Sequence, residues 1–223
     1  MRIGIDCDGV LRDFIPDLIN KIKETHPEHA DKIGIPHSWD WEDWLPFWTE
    51  EETEKYVFED HFEELFGTEA NVIETSLTDW PILKEWAKNQ GHELILVSAQ
   101  RENCKELTTH WLQRWGFVFD EMYFTHKKHL VDVDVLVDDS PAKLGRFKKQ
   151  SINKGVPIVY RQTWNTKSQK SKITIDRLSD LMYICFGKYC WYDYCTIYSV
   201  NNNQQQEKQN VYNKLKRRSK KLN

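Results

Sequence analysis

Apolar residues recur along the chain in two rhythms. Ile3 and Ile5 within "RIGID" read as a short buried strand. Leu11, Phe14, Ile15, Leu18, Ile19 and Ile22 then recur at helical spacing and predict a helix over about residues 11 to 25. The following "HPEHADKIGIPHSWDWEDWLPFW" is polar, aromatic and irregular. A helix is expected from Thr49, where Glu52 completes a capping box, through Val57, Phe58, His61, Phe62 and Leu65 to a stop at Gly67. Asp79 is placed to cap a further helix, with Pro81 in its first turn, Ile82, Leu83 and Trp86 on one face and Gly91 at its end. "HELILVSA" reads as a buried strand and "NCKELTTHWLQRWG" as a helix with Leu107, Trp111, Leu112 and Trp115 inward, closed by Gly116. "VDVLVDD" is a strand running into carboxylates, "PAKLGRFKKQSINKG" a helix and "VPIVYR" another strand. Past it, "KITIDRLSDLMYICFGKYCWYDYCTIYSV" predicts a strand or turn and one helix.

Strands alternating with helices of this length imply an α/β fold: a Rossmann-like parallel sheet with helices on both faces. The irregular stretch and the helix after it form a small helical cap inserted after the first strand. The expected organisation is a core of residues 1–13 and 78–198, a cap of residues 14–77, and a tail of residues 199–223. In open parallel sheets, ligands bind beyond the carboxyl ends of the strands. Three strand ends carry capable side chains: Asp6 and Asp8, then Ser98, then Asp138 and Asp139. Brought together, such acids repel one another unless a cation neutralises them, and oxygen donors of this kind favour Mg²⁺. One aspartate can then attack phosphorus, and its neighbour two residues on can serve as acid and then base. Lys128 and Ser98 are the candidates for holding the transferred group.

Composition narrows the classes. A chain of 223 residues and 26.7 kDa is long enough for a sizeable core. The formal charge of -4 gives no general bias toward nucleic acid, but "QEKQNVYNKLKRRSKKLN" (206 to 223) carries +6, leaving -10 on residues 1 to 205. Low in complexity and poor in apolar residues, the tail reads as solvated and disordered, or as a weak electrostatic contact with nucleic acid. Five cysteines without a C-x-x-C pair argue against a disulfide framework and fit a reducing compartment. Cys185, Cys190 and Cys195 do not match common zinc spacings. No signal peptide or membrane-length apolar stretch is visible, so the expected location is the cytoplasm, or the host cytoplasm if the chain is viral.

Taken singly, each candidate has a plainer reading. A D-x-D after a strand often only shapes a turn, Asp138 and Asp139 before Ser-Pro can cap the next helix, Ser98 can be a loop serine and Lys128 a solvated lysine. Together they resemble something more specific. "DCDGV", "ILVSA", Lys128 and "DVLVDDSP" are similar, in order, to the four motifs of the haloacid dehalogenase superfamily. With "WLQRWG" and "VPIVYRQTWN", the match over about residues 1 to 166 is similar in particular to the 5′(3′)-deoxyribonucleotidase family and its phage and bacterial relatives.

The resemblance implies Asp6 as nucleophile and Asp8 as acid/base. It implies Mg²⁺ held by the Asp6 carboxylate, the Asp8 backbone carbonyl and Asp138, with Asp139 supporting its water shell. Ser98 would bind phosphate where many relatives have Thr, and Lys128 would neutralise phosphate and nucleophile. Lys128 is preferred to Lys127 on spacing. In that family the cap closes aromatic residues over the base of a nucleoside monophosphate. Here Trp39, Trp41, Trp44, Phe47 and Trp48 lie in the corresponding segment, where stacking on a base and packing the cap's own core are both open to them.

The expected activity is Mg²⁺-dependent hydrolysis of (deoxy)nucleoside 5′-monophosphates through an aspartyl-phosphate. The alternatives are a phosphatase acting on nucleic-acid ends and a non-catalytic phosphate-binding protein on the same fold.

Overall fold

In the computed structural model, residues 1–38, 40–168 and 173–184 are described. The expected cysteine trio, the last expected helix beyond residue 184, Trp39 and the basic tail lie outside the described residues. Met1–Leu178 form one compact unit and Ser179–Asn223 a second. In the second, Leu181–Ile184 form one helical turn.

The first unit is a six-stranded, all-parallel sheet. Its strands are β1 (Arg2–Ile5), β2 (Glu93–Ser98), β3 (Glu121–Phe124), β4 (Val135–Asp138), β5 (Val156–Tyr160) and β6 (Ile173–Ile175), in the spatial order β3-β2-β1-β4-β5-β6. The helices are α1 (Phe14–Thr25), α2 (Glu50–Lys55), α3 (Phe62–Phe66), α4 (Glu74–Asn89), α5 (Glu102–Arg114) and α6 (Pro141–Gln150). Central strands are buried on both faces, so they read as continuous apolar runs. From β1 the chain winds outward through β2 to β3, returns across the sheet to β4 and winds the other way to β5. With right-handed crossovers, this places α4 and α5 on one face and α6 on the other. On the α6 face, Leu144 and Phe147 pack with Ile95, Val97, Leu136 and Val159. The reversal between β1 and β4 opens a crevice at their carboxyl ends. No helix among the described residues is long and apolar enough to cross a membrane.

The first helix starts at Phe14, three residues later than its apolar spacing suggests. The N–H groups of Val10, Leu11 and Arg12 all donate to the Cys7 carbonyl, and Arg12 bridges Val72, so residues 7–13 form a turn and then a linker. The segments entering and leaving the inserted region are tied together: Asp13 N–H donates to Asn71 O and Ile73 N–H to Leu11 O. Within the insertion the Thr49/Glu52 capping box forms as expected. The single expected helix is nevertheless broken, α2 passing into a wider π-type turn at Tyr56–Asp60 before α3.

The helix expected to begin at Asp79 begins at Glu74, and Pro81 lies in its interior. Asp79 is fully buried and pairs with Arg177 instead of capping. The Ser76 hydroxyl donates to Val10 O and bonds Tyr160 Oη, anchoring the preceding turn to the core. Tertiary anchoring thus extends the helix past its proline, and its inward face is Trp80, Leu83 and Ala87, with Ile82 exposed. β3 is an edge strand that sequence periodicity does not predict; none of its residues is fully buried.

The cap core is aromatic. Phe14, Ile15, Leu18, Ile22, Trp44, Leu45, Tyr56, Val57, Leu65 and Phe66 cluster with Cys104 of α5 and with Trp164. Thr49→Ala removes the hydroxyl that accepts from Glu52 N–H, leaving the backbone half of the capping box, and is expected to destabilise the protein by about 1 kcal/mol, measured by thermal or denaturant unfolding. An unchanged midpoint would show that tertiary packing alone holds α2.

Candidate active site

β1 ends at Ile5, and Asp6 N–H continues the pairing by donating to Val137 O at 2.9 Å. β4 ends in Asp138, followed by Asp139. The three aspartates are buried, each offering an oxygen within 4.8 Å of the others. Lys128, from a short 3-10 turn after β3, reaches into the crevice with its side chain 2% exposed. Its ammonium lies 2.6 Å from Asp6 Oδ2 and 2.6 Å from Asp138 Oδ2. Lys127 is exposed.

The remaining oxygens are mostly assigned. Asp6 Oδ1 accepts from Cys7 N–H at 2.8 Å, Asp138 Oδ1 from Ser140 N–H at 2.7 Å, and Asp139 Oδ2 from the Trp164 indole N–H at 2.7 Å. Asn165 Nδ2 donates to the carbonyls of Asp139 and Tyr160, 2.8 Å each, and Gln162 Nε2 donates to Gly9 O at 2.8 Å. Asp139 Oδ1 is buried with no hydrogen-bond partner. Gly9 adopts φ +77°, and a Cβ there would run into the Asp139 carboxylate, so the turn after Asp8 requires glycine for both conformation and space.

Three carboxylates against the single Lys128 ammonium leave surplus negative charge. Burial, with the Asp138 charge adding and Lys128 and Lys143 opposing, pushes the Asp6 carboxyl up to about 6. Burial and the neighbouring Asp138 and Asp6 charges hold the Asp139 carboxyl well above the usual carboxylate range. Burial acts upward on Asp138 too, but Lys128 and Lys143 outweigh it and carry this carboxyl below its ordinary value. Burial would lower the Lys128 ammonium, yet Asp138 and Asp6 hold it above its ordinary value. A buried set of carboxylate oxygens, one of them unpartnered, suits a hard divalent cation.

Asp8 lies apart from this cluster. Its Oδ1 accepts from Arg12 Nη1 at 3.0 Å and its Oδ2 from Gln100 Nε2 at 3.0 Å. Ser98 closes β2 with its hydroxyl fully buried and without a partner, beside the strand that delivers Asp6. An unpaired buried hydroxyl needs an acceptor, which a phosphoryl oxygen can supply.

In the cap, Trp44 is 1% exposed and packs in the aromatic core. Trp41, Phe47 and Trp48 are half-buried against the same core. Phe47 stacks on His29 at 4.3 Å, and Trp48 contacts Tyr56 at 4.7 Å and His26 at 5.1 Å. Sequence reading does not single out Arg12, Gln100, Thr108, Trp164 or Asn165. Arg12 could be noticed as the cation of a charged pair, with Asp13, set among Val10, Leu11, Phe14 and Ile15. Trp164 and Asn165 stand in the "RQTWN" run, but their partner Asp139 is 25 residues away or more.

Comparison with known proteins follows the same lines. The family model described as "5′ nucleotidase, deoxy (pyrimidine), cytosolic type C protein" matches residues 1–172. A 5′(3′)-deoxyribonucleotidase of Clostridium acetobutylicum is 24% identical over 152 residues, covering 67% of this chain and 79% of that protein. A haloacid dehalogenase-like hydrolase of Burkholderia xenovorans superposes with a TM-score of 0.53 at 16% identity, covering 81% of this chain and 94% of that one. A predicted phosphoglycolate phosphatase of Haemophilus somnus superposes with a TM-score of 0.51 at 19% identity, covering 82% and 96%. These two share the fold.

Charge imbalance in the cluster has opposite consequences for two substitutions. In chelator, Lys128→Met leaves buried carboxylates without their ammonium and is expected to lower stability by about 3 kcal/mol or more. Asp139→Asn removes a repelled carboxylate while keeping an acceptor for Trp164, and is expected to raise stability by about 1 kcal/mol. Unfolding midpoints that move together would show that packing, not charge, governs this crevice.

Proposed function

The chain belongs to the 5′ nucleotidase, deoxy (pyrimidine), cytosolic type C family and is a phosphoric monoester hydrolase of the nucleotidase type; from that premise we propose that it hydrolyses (deoxy)nucleoside 5′-monophosphates with Mg²⁺. The observation that carries this reading is the buried Lys128 ammonium, bridging Asp6 and Asp138 at 2.6 Å each. This arrangement sets a carboxylate and a cation side by side at the carboxyl ends of β1 and β4, the elements an in-line attack on phosphorus requires.

In the proposed mechanism, the Asp6 carboxylate attacks phosphorus, and the bond from phosphorus to the nucleoside oxygen breaks with its electron pair on that oxygen. The carboxyl group of Asp8 gives this oxygen its proton, releasing the nucleoside and leaving an aspartyl-phosphate. The Asp8 carboxylate then takes a proton from water, whose oxygen attacks phosphorus. Inorganic phosphate leaves and the Asp6 carboxylate is restored. Lys128 offsets the charge on Asp6 and on the transferred group, and the Ser98 hydroxyl donates to a phosphoryl oxygen. The Asp6 and Asp138 carboxylates and the Asp8 carbonyl are the residues we assign to Mg²⁺, with Asp139 supporting its water shell. When bound, the ion supplies positive charge for the phosphoryl oxygens.

We assign residues 14–77 to a cap over the substrate, with the half-buried Trp41, Phe47 and Trp48 as its candidates for base stacking. Trp44 serves the cap's core.

Phosphate release from a panel of (deoxy)nucleoside 5′- and 3′-monophosphates and a 5′-phosphorylated oligonucleotide tests the proposal. Release is expected to need Mg²⁺, to prefer a 5′-mononucleotide and to fall at least about a thousandfold in Asp6→Asn. Preference for the oligonucleotide would move the assignment to nucleic-acid ends, and release that survives Asp6→Asn would remove Asp6 as nucleophile.

A further inference from the structure

Asp8 is held by a buried polar ring that the acid cluster does not use. Arg12 is fully buried on the linker into the cap. Its Nη1 donates to Asp8 Oδ1 at 3.0 Å and its Nη2 to Thr108 Oγ1 at 2.8 Å. The Thr108 hydroxyl donates to Gln100 Oε1 at 2.6 Å, and Gln100 Nε2 donates to Asp8 Oδ2 at 3.0 Å. Donation runs from Arg12 to Asp8 along both arms of the ring, directly on one side and through Thr108 and Gln100 on the other. Arginine can only donate, so Thr108 must accept from it and give its own proton to Gln100, which turns the amide nitrogen toward Asp8. Each Asp8 oxygen is therefore fixed by a different residue, while its side chain remains 16% exposed.

Packing alone does not require this arrangement. The Arg12 guanidinium lies 4.7 Å from the Trp111 ring and 5.2 Å from the Phe66 ring, and its Nε is buried without a partner. An apolar side chain would fill such a slot without the desolvation cost of a buried cation. We propose that Arg12 and Gln100 are positioning residues that aim the Asp8 carboxyl group at the leaving oxygen of the phosphoester. The inference rests on the reading of Asp8 as acid/base given above.

First-turnover rates on two substrates, measured with the full chain and Mg²⁺, test the two ideas separately. A nucleoside 5′-monophosphate loses an alkoxide that must be protonated as it leaves; p-nitrophenyl phosphate loses a phenolate that need not be. Gln100→Leu and Arg12→Met are expected to slow nucleoside release by about tenfold to a hundredfold, part of what a general acid contributes. The same variants are expected to slow the p-nitrophenolate burst by less than about threefold, with Arg12→Lys recovering part of the nucleoside rate. Equal slowing of both substrates, or of neither, would overturn the positioning role. Asp8→Asn is the control for the underlying reading. If it lacks the selective loss, the acid role of Asp8 falls; if it shows the loss while Gln100→Leu and Arg12→Met do not, only the positioning proposal falls. Gln100→Leu decides the matter if Arg12→Met does not fold.

Discussion

Three carboxylates and one ammonium, shut away from water at the carboxyl edge of the sheet, are the constraint on which the rest of the first unit depends. Burying charge is costly unless it is paired and hydrogen-bonded. The fold meets that requirement from several directions at once. Lys128 bridges two of the acids, backbone N–H groups at Cys7 and Ser140 serve one oxygen each, and the Trp164 indole serves a third residue. Those donors come from four separate stretches of chain. Only a topology that reverses direction between β1 and β4 brings them to one point, and the fully buried Ile3, Ile5, Leu136 and Val137 beneath them keep the strand ends in register.

The inserted cap is not a detached lid. Its aromatic core continues into Cys104 of α5 and into Trp164, the same ring whose N–H holds Asp139. On the other side, Arg12 lies on the entering linker, packs on Phe66 of the cap and holds Asp8. Trp164 thus has its ring in the aromatic cluster and its N–H on Asp139, while the Arg12 guanidinium lies over Phe66 and donates to Asp8.

The strand ends were legible in the sequence because their signal is local. A buried run must be apolar, and a carboxylate just past it is out of place unless used, so Asp6, Ser98 and Asp138 can be noticed one strand at a time. What was not legible is what depends on distant partners. Asp79 has the local marks of a helix cap, but a buried pairing with Arg177, 98 residues away, takes it into the helix interior. Arg12 resembles a surface residue at the start of a helix until Thr108 and Gln100 arrive from elsewhere in the chain. β3 has no apolar alternation because, among the described residues, one of its edges has no neighbouring strand and it carries exposed Met122 and Tyr123.

The tryptophan content shows how composition can point past the structure. Ten tryptophans are more than a core of this size needs and suggest that some rings line a groove or pocket. Several are instead used for other work. Trp44 and Trp80 are buried bulk, Trp111 carries its N–H to Ala70 O at 2.8 Å and so ties α5 to the end of the cap, and Trp164 carries its own to Asp139. A large ring with one donor at its edge is suited to this task, because it fills the gap between elements while delivering an N–H to a fixed point. Trp111 and Trp164 thus help to fasten residues 14–77 to the sheet and its helices, whereas packing leaves Trp41 and Trp48 partly uncovered.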